Sequence, residues 1–227
     1  MIVRPTEDYR MLLATPFTLE PKKTALIPVD LQYASACRTT GLGKFLMEQG
    51  KGEWTRYRFD RIEQVVIPNV QKLLAFFRKH QLRIIYLTVG SEMPDYSDYV
   101  PHRIPFVKAA NNRVGQREHE ILDEVKPRPG ELVINKTTVS AFNSSPIDSV
   151  LRAMGIQYCL FAGVSTNMCV DGTARDASDR GYYCTLVEDA CGAAKEEYHH
   201  AAIITFQRGF GRVNSTDDVI RELEKNL

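Results

Sequence analysis

The chain has 227 residues, 44% hydrophobic and 25% charged, and its 29 basic and 28 acidic residues leave a formal net charge of +1. One globular domain with a self-sufficient core fits that length, and the balanced, intermixed charge speaks against a nucleic-acid or membrane-surface partner. Met1-Ile2-Val3-Arg4-Pro5 does not open a signal peptide, no run approaches the ~18 apolar residues of a membrane span, and the five cysteines include no CxxC pair. A cytoplasmic protein without a disulfide framework or zinc knuckle is therefore expected.

Residues 1–23, punctuated by Pro5, Pro16 and Pro21, read as an N-terminal arm lying on the surface or on a neighbouring subunit, and residues 24–227 as the domain. The first strand is Thr24 to Val29, ending at Asp30; its Pro28 is unusual because proline cannot donate to a ladder. Ala34 to Arg61, rich in glycine and holding Trp54, is too long for a simple connection and reads as a loop or lid. From Pro68 a helix is expected, with Val70, Leu73, Leu74 and Phe77 on one apolar face and Arg78-Lys79-His80 at its end. Leu82 to Val89 is the second strand, and Ser91 to Gln116, with Tyr96, Tyr99, His102 and Arg103, a second loop over the same end of the sheet.

A short helix over Glu118 to Val125 and a turn at Pro127 to Gly130 lead to the strand Glu131 to Asn135, which ends at Lys136. Pro146 begins the next helix and Gly155 stops it. The strand Ile156 to Ala162 then runs through Gly163 into a polar elbow, and a small-residue helix with Val170, Thr173, Ala174 and Ala177 begins at Cys169. Tyr182 to Val187 is a further strand, Lys195 to Gln207 a helix, Gly211 to Val213 a short strand, and Ser215 the cap of a last helix, Asp217 to Lys225. Strand and helix alternate throughout. The expected fold is α/β, a single-domain three-layer α/β/α sandwich around a mostly parallel six-stranded sheet of Rossmann type.

In such a sheet the C-terminal strand ends line the ligand crevice, so Asp30, Lys136 and Cys169 are expected to converge. A thiol at a helix N-terminus has a lowered pKa and sits beside unpaired N–H groups suited to an oxyanion. Taken singly, Asp30 reads as a turn residue, Lys136 as a solvated charge and Cys169 as a buried structural cysteine. Together, DLQ after the first strand, the lysine followed by SAFNSS, and GVSTNMCV before a helix resemble the isochorismatase-like cysteine hydrolases, from about Thr24 to about Ser215.

That resemblance implies hydrolysis of an amide-like C–N bond through a thioester. Asp30 takes the thiol proton, Cys169 attacks, Lys136 steadies both charges, and the N–H groups of Ser165 and Cys169 hold the oxyanion. The family pattern has the Val164–Ser165 peptide in cis, and an ordinary trans loop is the alternative. The Phe142-Asn143-Ser144-Ser145 segment is similar to that of ureidoacrylate-type amidohydrolases, which points to a small amide, ureido or carbamoyl substrate. Gln32, Trp54, Tyr96, Phe142, Asn143 and Thr166 are the expected substrate contacts, and Arg38, Tyr57, Tyr99, His102 and Arg103 are further lid side chains suited to a planar or acidic ligand.

No cofactor and no catalytic metal are expected: the histidine cluster of the nicotinamidase branch is missing from Thr88 to Pro94, and His199-His200, adjacent on a helix, point to different faces. Two other readings remain: an isochorismatase-type vinyl ether hydrolase, which does not need the cysteine, and a non-catalytic binding or redox-sensitive member of the fold. The resemblance also implies a homodimer or homotetramer.

Overall fold

The apolar runs ending near Asp30, Lys136 and Ser165 lie in one sheet covered on both faces, which is why they carry branched and aromatic residues continuously rather than in alternation. In this computed structural model, which describes residues 16–227, the strands are β1 (Thr24–Val29), β2 (Arg83–Val89), β3 (Leu132–Lys136), β4 (Tyr158–Val164), β5 (Tyr183–Gly192) and β6 (Arg212–Asn214). Their order is β3-β2-β1-β4-β5-β6 and every neighbouring pair is parallel. The chain winds outward from β1 to β3, then returns to the other side of β1. This doubly wound order opens a crevice beyond the C-terminal ends of β1 and β4, where the winding reverses.

The helices are α1 (Tyr33–Ala36), α2 (Gly41–Glu48), α3 (Arg56–Arg61), α4 (Ile67–Lys79), α5 (Ile104–Ala109), α6 (Ile147–Ala153), α7 (Asp171–Asp179), α8 (Glu196–Gly209) and α9 (Thr216–Lys225). Leu26, Tyr86 and Leu160 on one sheet face pack against Val70, Leu73 and Phe77 of α4 and Val219 and Leu223 of α9. Their chain neighbours Ile27, Ile85 and Phe161 turn to the other face and meet Leu151 of α6, Ala174 and Ala177 of α7, and Ile203 and Phe206 of α8. The two-residue alternation of strand side chains thus divides one apolar sequence between two cores. Ser215 caps α9 as expected, its hydroxyl accepting from Asp218 N–H.

Pro28 does sit in a central strand. The ladder from β1 to β4 is continuous from Thr24 to Val29, whereas the pairing with β2 steps from Leu26↔Ile84 to Val29↔Leu87, so the ladder is interrupted on the β2 side around the residue without an N–H. The stretch Ala34 to Arg61 is largely helical rather than an irregular loop. α3 runs through a π turn, Ile62–Val66, directly into α4, and the π turn ends two residues before Pro68, whose ring removes a helical donor. The helix therefore starts a dozen residues earlier than Pro68 suggests. Glu118 to Val125 is not a helix: Gln32 bridges Ile121, Leu122 N–H bonds Leu31 O, and two short 3₁₀ turns flank that contact.

Most of the expected N-terminal arm, residues 1–15, lies outside the described residues. Leu19 is fully buried, its N–H bonds Glu222 Oε1 at 2.8 Å, and Phe17 packs on the Tyr158 and Tyr183 rings. No helix among the described residues is long and apolar enough to cross a membrane.

Gly163, with φ +115°, lies where β4 passes β1, and a Cβ there would sit 2.1 Å from Val29 O. Gly155, with φ +67°, has open space around its absent Cβ. Gly155→Ala is expected to lose only the ~1–2 kcal/mol of a left-handed backbone, and Gly163→Ala more than ~4 kcal/mol because the strands must separate. Urea denaturation of both variants measures the difference, and equal losses would contradict the close approach.

Candidate active site

Three strand ends deliver the charged core of the crevice. Asp30 leaves β1 with φ +51°, a left-handed turn that an aspartate tolerates better than most residues. Lys136 is the last residue of edge strand β3 and reaches past β2 to place Nζ 2.9 Å from Asp30 Oδ2, and it also donates to Thr138 O at 3.2 Å. Both side chains are buried, Lys136 completely. The second Asp30 oxygen, Oδ1, has no conventional hydrogen-bond partner, and the carboxylate interacts with the Cys169 thiol. Cys169, 5% exposed, lies in a π turn, Thr166–Val170, between β4 and α7. The three residues expected to converge do so.

The thiol is not acidified as a helix N-terminus alone would suggest. Burial pushes it up to about 11, Lys136 pulls it back, and the Asp30 charge and hydrogen bond hold the proton on sulfur. Lys136 itself is depressed by burial, but the Asp30 and Cys169 charges outweigh that and keep it above its ordinary value.

The elbow before Cys169 has an unusual backbone. The Val164–Ser165 peptide is cis. Ser165 O accepts from Met168 N–H at 3.0 Å and from Val170 N–H at 3.2 Å, the five-residue step of the π turn, and passes over the N–H of Cys169. Two arginines one helical turn apart on α3 hold the same elbow. Arg58, 6% exposed, donates from Nη1 to Ser165 Oγ at 2.7 Å and from Nε to Ser35 O at 3.0 Å. Arg61 binds Cys191 O, Glu188 O and His199 Nε2. A guanidinium only donates, so His199 Nε2 accepts, its proton rests on Nδ1, and Nδ1–H donates to Thr166 Oγ1 at 2.9 Å. That ring is held neutral: burial, then the Arg61 and His200 charges, lower it to about 3.

The expected substrate contacts divide. Thr166 is fully buried in the elbow beside Ser165 and Cys169, and Tyr96 packs with Tyr99, Val89 and Val107 under the second covering segment. Gln32 is not available: it is fully buried, Oε1 accepts from Val89 N–H, and Nε2 donates to Val89 O and His119 O. Its amide fastens the chain after β1 to β2. Trp54 is 68% exposed with Lys51 stacked 4.8 Å over its ring, a surface position. Phe142 packs between Tyr182 and Arg180, and Asn143 is exposed.

The loop around Phe142 and Asn143 instead braces the lysine. Ser144 Oγ accepts from Thr137 and Thr138 N–H, fixing the carbonyl that Lys136 uses. Sequence reasoning missed Arg58, Arg61 and the role of His199. Their signal was present, since Phe59, Ile62, Val66 and Val70 continue the apolar face of α4 backwards and carry both arginines on one helix.

A family model for the isochorismatase domain matches residues 24–218. The chain belongs to the isochorismatase family. Among relatives in the family, the ureidoacrylate amidohydrolase RutB of Caulobacter segnis is 32% identical over 219 residues, 89% of this chain and 87% of the relative, and that of Variovorax paradoxus is 31% identical over 91% and 83%. A cysteine hydrolase from Pseudomonas syringae pv. phaseolicola has a similar fold, with a TM-score of 0.79 at 24% identity, covering 93% of this chain and 97% of that one. N-carbamoylsarcosine amidase from Thermoplasma acidophilum gives 0.64 at 25% identity, over 86% and 97%.

Because His199 is neutral when folded and takes a second ring proton near 6.5 when unfolded, the unfolded state binds more protons between about 3 and 6.5. Its contribution is complete above pH 6.5 and is lost as pH falls toward 3. Relative to His199→Asn, the native protein is expected to lose about 1.4 kcal/mol more per pH unit below pH 6. Urea midpoints at pH 7, 6 and 5 read this, and parallel curves for the two proteins would exclude the buried neutral ring.

Proposed function

We propose that this protein is an amidohydrolase that cleaves a C–N bond of a small ureido, carbamoyl or amide compound through a thioester on Cys169, with Asp30 and Lys136 completing the catalytic group. The observation that carries the reading is the buried Lys136–Asp30 pair, 2.9 Å apart and in contact with a buried thiol. Relatives named as ureidoacrylate amidohydrolases, and a similar structure named as a carbamoyl amidase, support the substrate class.

The proton stays on sulfur before attack, so Asp30 acts as a general base during attack rather than on a thiolate formed beforehand. As the Sγ–carbon bond forms, the thiol proton passes to Asp30, and the carbonyl π pair moves onto oxygen, where the N–H groups of Ser165 and Cys169 stabilise it. Collapse of the tetrahedral adduct breaks the C–N bond, and Asp30 returns its proton to the leaving nitrogen, which departs as a neutral amine or ammonia. Water then gives a proton to Asp30 and adds to the thioester, the C–S bond breaks, and the thiol recovers its proton as the acid leaves. Lys136 remains charged throughout and compensates Asp30 whenever the carboxylate is ionised.

No step draws on a cofactor. The same reading has the protein acting in the cytoplasm as a homodimer or homotetramer, and exposed Phe45, Met47, Trp54 and Phe106 on the covering segments support self-association.

The test mixes the protein with a panel of ureido acids, carbamoyl compounds and primary amides, following ammonia and intact mass. Wild type is expected to release ammonia, and Cys169→Ser to lose about a thousandfold or more in kcat/KM. Pyruvate from isochorismate with no ammonia from any panel member, or equal turnover by the variant, overturns the thioester reading.

A further inference from the structure

The charges around Cys169 do not balance. Lys136 is matched by Asp30. Arg58 and Arg103, one from each covering segment, pair with no acidic side chain among the described residues. The Arg58 bonds go to neutral oxygens, Ser35 O and Ser165 Oγ, and leave Nη2 for another acceptor. Arg103 Nη1 is buried with no hydrogen-bond partner at all. Three well-covered arginines elsewhere meet acids, Arg78 with Glu131, Arg175 with Asp171 and Arg212 with Glu222, whereas the donors of Arg61 are taken up by Cys191 O, Glu188 O and His199. Arg38, also on the first covering segment, is taken up by Asp60 and Glu63.

Arg58 and Arg103 both act on the reacting group. Arg103 is among the charges that pull Cys169 down, and the Cys169 and Asp30 charges oppose the burial that lowers Arg58 to about 10. Tyr99, on the same segment as Arg103, is buried and pushed up to about 12, first by burial, and it too feels Arg103, Lys136, Cys169 and Asp30. With the thiol protonated, three cations face one carboxylate, an excess of two positive charges in a site with little water to screen them. A buried guanidinium nitrogen without an acceptor, such as Arg103 Nη1, is unfavourable unless a ligand supplies one. The planar fork of a guanidinium matches a carboxylate.

We propose that Arg103, backed by Arg58, is a specificity-determining carboxylate reader that makes this site select anionic ureido or carbamoyl acids over neutral amides. The inference rests on the hydrolase reading above for the scissile group, but the charge count does not. A monoanionic substrate cancels one of the two excess charges on binding, and the oxyanion that forms during attack cancels the other. Cationic substrates are repelled, and neutral ones leave Arg103 Nη1 without a partner.

The test compares 3-ureidopropionate with n-butylurea, which keeps the ureido group and chain length but lacks the carboxylate. Wild type is expected to favour the acid by at least ~100-fold in kcat/KM. Arg103→Gln should bring that ratio below ~10-fold, and Arg103→Lys should restore part of it. An acid preference near one in wild type, or one unchanged in Arg103→Gln, overturns the proposal. Calorimetric titration of Cys169→Ala with both compounds reads the same selectivity without turnover: tighter binding of the acid that the added Arg103→Gln change removes supports it, and equal binding overturns it. If wild type cleaves no panel compound while this binding selectivity holds, the hydrolase reading fails and the carboxylate site stands.

Discussion

An ammonium and a carboxylate, both taken out of water, set the terms for the rest of this structure. Lys136 and Asp30 each surrender hydration worth several kcal/mol, and their attraction offsets that only at good geometry. The geometry comes from strand order: β3 and β1 end on either side of β2, so the lysine stem passes the middle strand and meets a carboxylate turned off the end of β1. Removing one partner strands the other, at a cost of about 3–5 kcal/mol. A pair of this kind contributes little to net stability, and its retention makes sense as chemistry. In the proposed mechanism the fixed ammonium compensates the Asp30 carboxylate at the place where it takes up the thiol proton.

The second constraint is the elbow after β4. Its flanking polar atoms are engaged from outside, and α3 does this with Arg58 on Ser165 and Arg61, through His199, on Thr166. The covering segment is thus not a detached flap. It is the first turns of the helix that also buries Phe59, Ile62 and Val66 in the main core. Packing of α3 and α4 against the sheet and positioning of the elbow are one cooperative feature, so loss of apolar contacts there reaches the site without touching a reacting atom.

Much of this was legible in the chain. Apolar runs bounded by Gly and Pro located all six strands, and residues at strand ends pointed to Asp30, Lys136 and Cys169 because a parallel sheet gathers those ends. What sequence could not give was occupancy. Gln32 stands in a site motif, yet its amide is consumed by Val89 and His119, and only three-dimensional accounting of donors and acceptors reveals that. Phe142 and Asn143 stand in another, and the structure spends their loop on bracing Thr138 O. Arg58 was hidden for a different reason: Pro68 looks like a helix start, whereas the π turn ahead of it absorbs the missing donor and lets the helix run on.

The protonation state of the thiol ties these parts together. A preformed thiolate would gain from three nearby cations, yet burial and the adjacent carboxylate keep the proton on Cys169. In the proposed mechanism the positive surplus is therefore not discharged before substrate arrives. It is held for charge that the substrate brings and for charge that develops on the attacked oxygen. Interactions that strengthen between ground and transition state are the ones that accelerate a reaction. A site that kept its own thiolate would have neutralised part of that surplus in the resting state, leaving less of it to act on the oxyanion.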